Sequence, residues 1–500
     1  MARRVIPVGQ RQLRLWNGAA LRSPAPQLPP DLTGCKVHLL GVGGIGMSGI
    51  AAHLQHQGCV VSGCDSAASE ITEALVQRGM RVSIGHSPEH LDDGAEIVII
   101  SAAIRETNPE LRDARRRDLI VLKYAQALGW LMKGREGIAV SGSHGKTTTT
   151  SMIAYALSYA GKHPSMLVGG LVPQMGGGNS CVDSTGPFVV EACEYDRSFL
   201  NLNPMVAIIN NIDRDHLDYY SGLPELVEAF GQFAQLAPRG GLVLVNGDDP
   251  NAMKAAAGAR AEVQSFGEGP QCDWRIAEWA RQDGKTRFRV QHHGKSQGAF
   301  ELIVPGLHNV RNALACVAAC SYFSANRQEV REALAQFRGA RRRFDRVGEA
   351  AGVMVLDDYG HHPTEVRVTL DAAKQEYPTR RLWCVFQPHQ FSRTRMLMDD
   401  FAESFGSADR VIVPDIYAAR DSAADRASVH SRDLVQRLCR NGVQAEYGHE
   451  FGDTIQTLLA GVRQGDLVMT MGAGPVDRVA RRLLTELKKR EASDDFVLRS

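Results

Sequence analysis

The sequence predicts an α/β protein of three domains, each built around a mostly parallel sheet. In three successive stretches of the 500-residue chain, short apolar runs alternate with helix-like patterns, as is typical of doubly wound sheets. Two of these stretches also carry a glycine-rich turn between a strand and a helix, beginning at Gly41 and at Gly142. Roughly two to four domains are expected at this length, because a single hydrophobic core stops growing well below it.

The alternating stretches define the expected domains. Residues 34–135 and 345–490 are predicted to be Rossmann-like domains, and residues 136–344 to form a central parallel sheet like that of the P-loop ATPases. The runs AEIVIISAAI, MVAIINNI and ADRVIVPDIYA are examples of the strands expected in each. Residues 1–33, which end in a proline-rich segment, are interpreted as a flexible leader, and residues 491–500 as a frayed tail.

Charge and composition argue against several classes of function. The formal net charge of +1 does not suit a protein that wraps nucleic acid or binds an acidic membrane. No apolar run approaches the length of a membrane-spanning helix, and the basic N-terminus lacks the apolar core of a signal peptide. The ten cysteines include no CxxC pair and no Cys/His spacing typical of a zinc site, which favours buried thiols and a soluble cytoplasmic protein.

The first glycine-rich turn, GVGGIG, has the spacing of a dinucleotide-binding loop after a strand. Its glycines are Gly41, Gly43, Gly44 and Gly46, and the next strand ends at Asp65, where an acidic residue can hold a ribose. The physical requirement is a bare backbone turn at a helix N-terminus, which attracts the pyrophosphate of any nucleotide, including a UDP-sugar. Specificity for NAD therefore does not follow, and a purely structural turn is the alternative.

The second turn lies in VSGSHGKTTTT and has Val140 where a Walker A loop begins with glycine. Its backbone N–H groups can still surround phosphates, the lysine can reach the β and γ oxygens, and the threonine that follows can bind Mg²⁺. We therefore expect an ATP site whose phosphate contacts come from the loop residues Gly142, Ser143, His144, Gly145, Lys146, Thr147 and Thr148.

Further polar residues follow other strands of the predicted sheets. Glu191 offers the hard oxygen ligand that Mg²⁺ prefers, whereas His216 alone would more often be a hydrogen-bonding residue. Asn309 and Asn312 share a helix face. Their carboxamides either pair with adenine or cap the helix, and the sequence favours neither interpretation over the other. DDYGHHPTE and FQPHQFSRTR bring polar and aromatic groups to strand ends of the third domain, as is typical of substrate sites.

In combination, these motifs resemble the Mur ligases of peptidoglycan synthesis. The resemblance covers nearly the whole chain and rests on GVGGIGMSGIA, GSHGKTTTT, EACEYDRSF, NIDRDHLD, PGLHNVRNA, RRRFD, DDYGHHPTE and FQPHQFSRTR. Because the ATP loop of this family has the G-x-x-G-K-T form, Val140 is expected there. The chain looks most like the branch that uses ATP and Mg²⁺ to join L-alanine to UDP-N-acetylmuramate in the bacterial cytoplasm. A monomer or weak homodimer is expected, with no nucleic-acid partner and no membrane insertion.

The resemblance also implies a role for individual residues. It implies catalytic functions for Lys146, His216 and Arg343, and Mg²⁺ ligation by Thr147, Glu191 and His216. Besides the loop, the implied ATP contacts are Asn309, Asn312, Arg343 and Asp358. The implied contacts to the UDP-sugar are Gly41, Gly43, Gly44, Gly46, Asp65, His86 and Ser101. The implied contacts to the amino acid are Tyr359, His361 and Arg393.

Two departures and one absence refine this assignment. Gln390 stands where family members often carry arginine, so anchoring of the alanine carboxylate rests more on Arg393, with Arg395 as a second candidate. Cys193 stands where an acidic residue is frequent. Sister ligases place a modified lysine shortly after the DH element, but residues 217–236 contain no lysine, which favours the alanine-adding branch.

Three rival functions compete with this assignment. The first is a recycling ligase that joins a murein tripeptide to the same UDP-sugar, with the same fold and chemistry. A nicotinamide dehydrogenase would use the first glycine turn but would leave the second nucleotide loop unexplained. A non-catalytic nucleotide sensor is disfavoured because Lys146, Thr147, Glu191 and His216 are all present.

Overall fold

The predicted α/β fold is confirmed by the computed structural model, which describes residues 31–419 and 421–499, with side chains up to residue 492. The predicted leader lies outside the described residues except for its last three positions. The chain divides between Leu128 and Gly129 into two compact units. The second unit contains both the central sheet and the C-terminal sheet.

The first unit is a five-stranded parallel sheet. Its strands are β1 (Lys36–Leu40), β2 (Val60–Asp65), β3 (Arg81–Ile84), β4 (Ile97–Ile100) and β5 (Ile120–Lys123), and its helices are α1 (Ile45–His56), α2 (Glu70–Gln77) and α3 (Pro109–Arg116). A fourth helix, α4 (Tyr124–Met132), follows β5. The strand order β3–β2–β1–β4–β5 reverses at β1. Ligands of such sheets bind at the carboxyl ends of the strands beside this reversal.

The central sheet has ten strands in the order β15–β14–β13–β12–β11–β10–β6–β9–β7–β8. They are β6 (Gly137–Ser141), β7 (Ser165–Leu167), β8 (Ser180–Cys181), β9 (Phe188–Glu191), β10 (Val206–Ile209), β11 (Leu242–Asn246), β12 (Glu262–Gly267), β13 (Trp274–Gln282), β14 (Lys285–His292) and β15 (Lys295–Leu302). The helices are α5 (Lys146–Tyr159), α6 (Leu223–Ala234), α7 (Pro250–Ala256), α8 (Leu307–Tyr322) and α9 (Arg327–Gln336). Buried β6 lies between β9 and β10, parallel to both, so its carboxyl end opens at the middle of the sheet.

An antiparallel extension of the central sheet was not among the sequence predictions. Strands β13, β14 and β15 form consecutive antiparallel pairs joined at Asp283–Gly284 and His293–Gly294, where all four residues have positive φ. In β14 buried positions alternate with exposed ones, as in a strand with one solvated face. The charged residues on that face interrupt the apolar runs from which the other strands were predicted.

The C-terminal sheet has six strands in the order β16–β17–β21–β18–β19–β20. They are β16 (Asp345–Ala350), β17 (Val353–Asp358), β18 (Leu382–Phe386), β19 (Arg410–Pro414), β20 (Ala445–His449) and β21 (Leu467–Met471). The helices are α10 (Pro363–Glu376), α11 (Phe391–Met396), α12 (Met398–Ala402), α13 (Ala423–Arg426), α14 (Ser431–Arg440), α15 (Phe451–Gly461) and α16 (Asp477–Arg499). β16 pairs antiparallel with β17, whereas the other pairings are parallel. Within residues 31–419 and 421–499, no helix combines the length and apolarity needed to cross a bilayer.

Candidate active site

The glycine-rich loop between β6 and α5 owes its conformation to two glycines. Val140 is a fully buried residue of β6, so the loop begins at Gly142, whose φ is +142°. Gly145 has φ +80° and directly precedes α5, and a Cβ there would lie 2.7 Å from Asn312 Oδ1. The left-handed backbone and this close approach both favour glycine. The loop therefore presents the N-terminus of a 14-residue helix, which is suited to binding anions.

Lys146, the first residue of α5, is held by the loop and by a buried carboxylate. Its Nζ donates to the carbonyl oxygens of Gly142 and Ser143 and to Glu194 Oε1, at 2.5, 3.2 and 2.9 Å. Burial alone would favour the neutral amine, but the Glu194 carboxylate outweighs it and raises the pKa of Lys146. The side chain is thus a fixed cation beside the glycine-rich loop.

Thr147 and Glu191 form a pair at the other side of the loop. Thr147 Oγ1 donates to Glu191 Oε2 over 2.9 Å, and the N–H of Gly169 donates to the same oxygen over 2.8 Å. Arg343 Nη2 lies 3.5 Å from Thr147 Oγ1, so a guanidinium approaches from the C-terminal domain. A hydroxyl and a carboxylate beside a phosphate loop are hard oxygen ligands, which fit Mg²⁺.

A buried chain of charges continues from Lys146. Glu194 Oε1 lies 3.3 Å from His216 Nε2, which lies 3.8 Å from Asp215 Oδ2. Asp215 Oδ1 in turn accepts a 2.8 Å hydrogen bond from Arg393 Nη2. Glu194 Oε2 and His216 Nδ1 are buried without a hydrogen-bond partner among the described residues. Ligand atoms of Glu194, Asp215 and His216 all lie within 4.8 Å of one another, so these three side chains offer a second place for a cation.

His144 links the glycine-rich loop to the C-terminal domain. Its Nε2 lies 3.1 Å from Asp213 Oδ2, and its Nδ1 lies 3.3 Å from Glu365 Oε1. Burial disfavours the imidazolium, but the contacts with Asp213 and Glu365 outweigh it and raise the pKa of His144 to about 9. Thr364 Oγ1 also donates to Asp213 Oδ2 over 2.7 Å. His144 therefore adds a positive charge to the loop at neutral pH.

A cavity of about 470 Å³ opens beside the loop, between the central and C-terminal domains. Seven of the residues predicted to bind ATP line it: His144, Gly145, Thr148, Asn309, Asn312, Arg343 and Asp358. Volumes of this size are usual for small-molecule sites. Asn309 Nδ2 donates to the Pro305 carbonyl over 2.6 Å, and Asn312 Nδ2 donates to Asn309 Oδ1 over 3.2 Å. The helix start itself is capped by Gly306, not by either asparagine.

Asp358 and Tyr359 lie at the carboxyl end of β17. The Asp358 carboxylate accepts the N–H groups of Phe344 and Gly360, at 2.8 and 2.7 Å. Burial nevertheless raises the pKa of Asp358. The Arg343 guanidinium stands 5.0 Å from the centre of the Tyr359 ring, and the His361 ring meets Tyr359 edge-on at 5.5 Å. These predicted ATP and amino-acid residues are neighbours in space.

His361 and Arg393 are buried close to the same loops. The pKa of His361 is lowered to about 4, because burial disfavours the charged ring. Its Nδ1 lies 3.1 Å from the Tyr359 carbonyl, so that nitrogen carries the proton and Nε2 is an acceptor. Arg393 is engaged by Asp215, and its Nη1 lies 3.2 Å from His389 Nδ1. Gln390, with φ +70°, precedes α11 and is buried.

The glycine turn of the first unit is held by Asp65. The Gly43 N–H donates to Asp65 Oδ2 over 2.9 Å. Gly41 has φ +82°, and a Cβ there would meet Ser101 Cβ at 3.0 Å. A Cβ on Gly46 would lie 2.8 Å from the Tyr124 ring. The turn therefore needs glycine for its own packing as well as for any ligand.

The remaining predicted UDP-sugar residues lie at the same end of the first sheet. Gly44 immediately precedes α1, and the N–H of Ser101 donates to the Leu40 carbonyl over 3.0 Å. His86 Nδ1 lies 3.2 Å from Cys64 Sγ and 3.3 Å from Glu110 Oε1. The structure thus gathers the predicted set around the ends of β1, β2, β3 and β4.

Five residues of the second unit were not singled out from the sequence. Asp213, Asp215 and Glu365 are carboxylates paired with predicted site residues, Glu194 pairs with Lys146, and His308 lines the cavity. All five stand inside the motifs NIDRDHLD, EACEYD, GLHNVRNA and DDYGHHPTE. Their presence in these motifs is the sequence feature that could have identified them as site residues. The sequence does not show which cation lies beside each carboxylate.

Comparisons with known families match three successive parts of the chain. Residues 36–136 match the family described as "Mur ligase family, catalytic domain", residues 140–320 the "Mur ligase middle domain", and residues 342–474 the "Mur ligase, glutamate ligase domain". The matched ranges correspond to the five-stranded, ten-stranded and six-stranded sheets. Together they include every predicted site residue.

Individual relatives are similar over nearly the whole chain. A UDP-N-acetylmuramate–L-alanine ligase from Caldanaerobacter subterraneus subsp. tengcongensis is 40% identical over 91% of this chain and 98% of its own length. A solved UDP-N-acetylmuramate–alanine ligase from Thermotoga maritima superposes with a TM-score of 0.78 at 28% identity, over 91% of this chain and 99% of that one. A solved murein peptide ligase from Psychrobacter arcticus superposes with a TM-score of 0.69 at 25% identity, over 91% of this chain and 99% of that one.

Proposed function

The chain belongs to the Mur ligase family, and we infer that it joins L-alanine to the carboxylate of UDP-N-acetylmuramate at the expense of ATP. The observation that carries this function is the 40% identity, over 91% of the chain, to a relative named for that reaction. The phosphate loop and the cavity beside it support the same conclusion, because they provide the nucleotide site that such a ligase requires.

The chemistry requires an activated acid. A free carboxylate is a poor acyl donor, because its leaving group would be oxide. Transfer of the γ-phosphoryl group of ATP to the muramoyl carboxylate gives an acyl phosphate and ADP. The alanine amine then attacks the acyl carbon, loses a proton, and the tetrahedral intermediate expels phosphate. No covalent bond to the protein is needed, so the enzyme acts by positioning and by neutralising charge.

Three cationic side chains are available to the phosphates. Lys146 and protonated His144 belong to the loop, and Arg343 approaches it from the other domain of the second unit. The triphosphate would compete with the Gly142 and Ser143 carbonyls for Lys146 Nζ, so Lys146 would exchange loop contacts for phosphate contacts. Arg343 would bridge the two domains through the bound nucleotide.

The residues that would hold Mg²⁺ are Thr147 and Glu191, with His216 at the second position. Oxygen ligands at the first position and the orphaned atoms Glu194 Oε2 and His216 Nδ1 at the second fit a divalent cation. When bound, Mg²⁺ would neutralise charge on the phosphate oxygens. Glu194 and Asp215, which were not predicted from the sequence, also belong to the residues expected around the second ion.

The incoming alanine would be bound by Arg393, Tyr359 and His361. Arg393 is a buried cation that can exchange Asp215 for the alanine carboxylate. His361 is neutral at pH 7 and offers Nε2 as an acceptor for the ammonium group. In the first unit, the glycine turn with Asp65, His86 and Ser101 would bind the UDP moiety. Ten free cysteines support a reducing, cytoplasmic setting for this reaction.

The proposed function is tested by phosphate release from ATP in the presence of Mg²⁺, UDP-N-acetylmuramate and single amino acids. We expect release with L-alanine that requires both the amino acid and the UDP-sugar. Formation of UDP-N-acetylmuramoyl-alanine, followed by mass spectrometry, identifies the product. ATP hydrolysis that is indifferent to the UDP-sugar would overturn the proposal.

Comparing a murein tripeptide with L-alanine as the acceptor distinguishes a recycling ligase from an alanine-adding ligase. The Psychrobacter arcticus structure, named as a murein peptide ligase, is also similar in fold, so both acceptors belong in the same assay. We expect the kcat/KM for L-alanine to exceed that for the murein tripeptide. The opposite order would assign the chain to the recycling branch.

A further inference from the structure

A cluster of metal-ligating side chains lies in the first unit, separate from the residues assigned to ATP. His38 on β1, Cys64 on β2 and Glu110 on α3 each bring one ligand atom to within 4.8 Å of the others. All three are at most 1% exposed. Nitrogen, sulfur and carboxylate together are the ligand chemistry of Zn²⁺, whereas Mg²⁺ takes oxygen ligands.

His86 lies beside this cluster, next to Cys64 and Glu110. Its Nδ1 lies 3.2 Å from Cys64 Sγ and 3.3 Å from Glu110 Oε1, and His38 Nε2 lies 2.9 Å from Glu110 Oε2. With metal–ligand bonds of about 2.0–2.3 Å, the ligand atoms of a tetrahedral zinc site stand about 3.3–3.7 Å apart. The 2.9 Å separation of His38 Nε2 from Glu110 Oε2 is a few tenths of an ångström short of this range, and all ligand atoms of His38, Cys64 and Glu110 lie within 4.8 Å of one another.

The surroundings of the cluster also fit a metal site. His38 Nδ1 lies 2.8 Å from Ser62 Oγ, and ligating histidines commonly donate their second ring nitrogen to such a partner. A metal ion would take the place of the hydrogen bond between His38 Nε2 and Glu110 Oε2, with the one proton of the neutral His38 ring moved to Nδ1. Because a thiolate and a carboxylate balance the two charges of the ion, the buried complex would be neutral, which lowers the cost of burying it.

His86 and His90 lie at the outer side of the cluster. Both side chains are 23% exposed, whereas Glu110 is not exposed at all. His90 Nδ1 lies 3.4 Å from Glu110 Oε1 yet makes no hydrogen bond within the described part of the chain. The two imidazole rings therefore lie between the buried carboxylate and solvent.

The geometry points to a binding site for one Zn²⁺ ion, or a divalent ion of the same class, held by His38, Cys64 and Glu110. Binding releases the thiol proton of Cys64 to solvent. The Cys64 carbonyl accepts the N–H groups of Gly41 and Val42, at 2.8 and 3.0 Å. The metal would therefore tie β1, β2 and α3 together directly beneath the first glycine turn.

Co²⁺ titration of the full-length, chelator-treated protein tests this site, since tetrahedral thiolate-bound Co²⁺ gives a charge-transfer absorption band. We expect one equivalent to produce the band and Zn²⁺ to abolish it by displacement. We expect Cys64→Ser and Glu110→Gln to lose the band, and Cys59→Ser, a buried cysteine just before the same strand, to retain it. Ser62→Ala should weaken Zn²⁺ binding by about 10–100-fold.

The alternative outcomes are decisive. Absence of the band from the unmodified protein, or its survival in Cys64→Ser, would overturn the proposal. Far-UV circular dichroism shows whether each variant is folded, and Glu110→Gln provides a second variant should Cys64→Ser fail to fold. The titration needs no turnover, so its result does not depend on the proposed ligase activity.

Discussion

Arg393 Nη2 donates a hydrogen bond to Asp215 Oδ1 over 2.8 Å, and both side chains are buried. The pair joins α11 of the C-terminal domain to the loop after β10 of the central domain. Burial would raise the pKa of the Asp215 carboxyl, but His216 and Arg393 outweigh it and hold this pKa well below its usual range. A cation expected to bind substrate is thus compensated by an acid from another domain.

Breaking this pair is expected to destabilise the protein strongly. Arg393→Ala leaves the Asp215 carboxylate buried with less compensation, and removing one partner of a buried pair typically costs about 3–5 kcal/mol. The control is Arg395→Ala, because Arg395 is 51% exposed and stands 3.7 Å from Asp425; an exposed pair contributes about 0–1 kcal/mol. Urea unfolding measures both. Equal losses in the two variants would contradict this account.

Replacing Lys146 is expected to lower turnover through the lost contact with phosphate, and stability through the lost contact with Glu194. Lys146→Met should lower turnover by at least about 10²–10³-fold, as loss of one preorganised charge does. It should also destabilise the fold, since Glu194 loses its main counter-charge. Adding Glu194→Gln should recover stability without recovering turnover. If the double variant regains activity, Lys146 acts by compensating Glu194 and not by binding phosphate.

Gly145→Ala is expected to impair ATP binding as well as stability. A Cβ there would lie 2.7 Å from Asn312 Oδ1 in a left-handed backbone conformation. The matched control is Gly161→Ala, which has φ +64° but no described atom within 4 Å of the added Cβ. The control should lose about 1–2 kcal/mol of stability, from backbone strain alone. The KM for ATP should rise in Gly145→Ala and stay unchanged in the control.

The His144 ion pairs predict a pH-dependent stability. The pKa of His144 is about 9 in the folded state, against about 6.5 in an unfolded chain. Folding therefore favours the imidazolium, and this stabilisation is complete below about pH 6.5 and is lost as pH rises through 9. The pKa values of Asp213 and Glu365 are lowered, so their own stabilisation is lost only in acid, outside this window.

Comparing variants isolates that contribution. His144→Gln should abolish the decline in unfolding free energy between pH 6.5 and 9, measured by urea unfolding at each pH. His163→Gln is the control, because His163 is 68% exposed and lies 3.6 Å from Asp183. A decline that persists unchanged in His144→Gln would show that other groups cause it.

Local patterns were sufficient to predict the glycine-rich loop between β6 and α5. Val140, Gly142, Gly145 and Lys146 are almost consecutive, and a buried strand, a bare turn and a helix start are all properties of neighbouring residues. The antiparallel strands β13–β15 were missed, because one face of them is solvated and charged. Strand prediction from apolar runs favours strands that are buried on both faces.

The role of each carboxylate could not be predicted in the same way. Asp215 and Arg393 are 178 residues apart in the chain, and Lys146 and Glu194 are 48 apart. The sequence by itself determined the α/β class, the order of the domains and the two glycine-rich turns, because these depend on local periodicity and backbone geometry. Only the tertiary structure decided which buried charges compensate one another, because desolvation and Coulomb attraction act across distances that chain position does not encode.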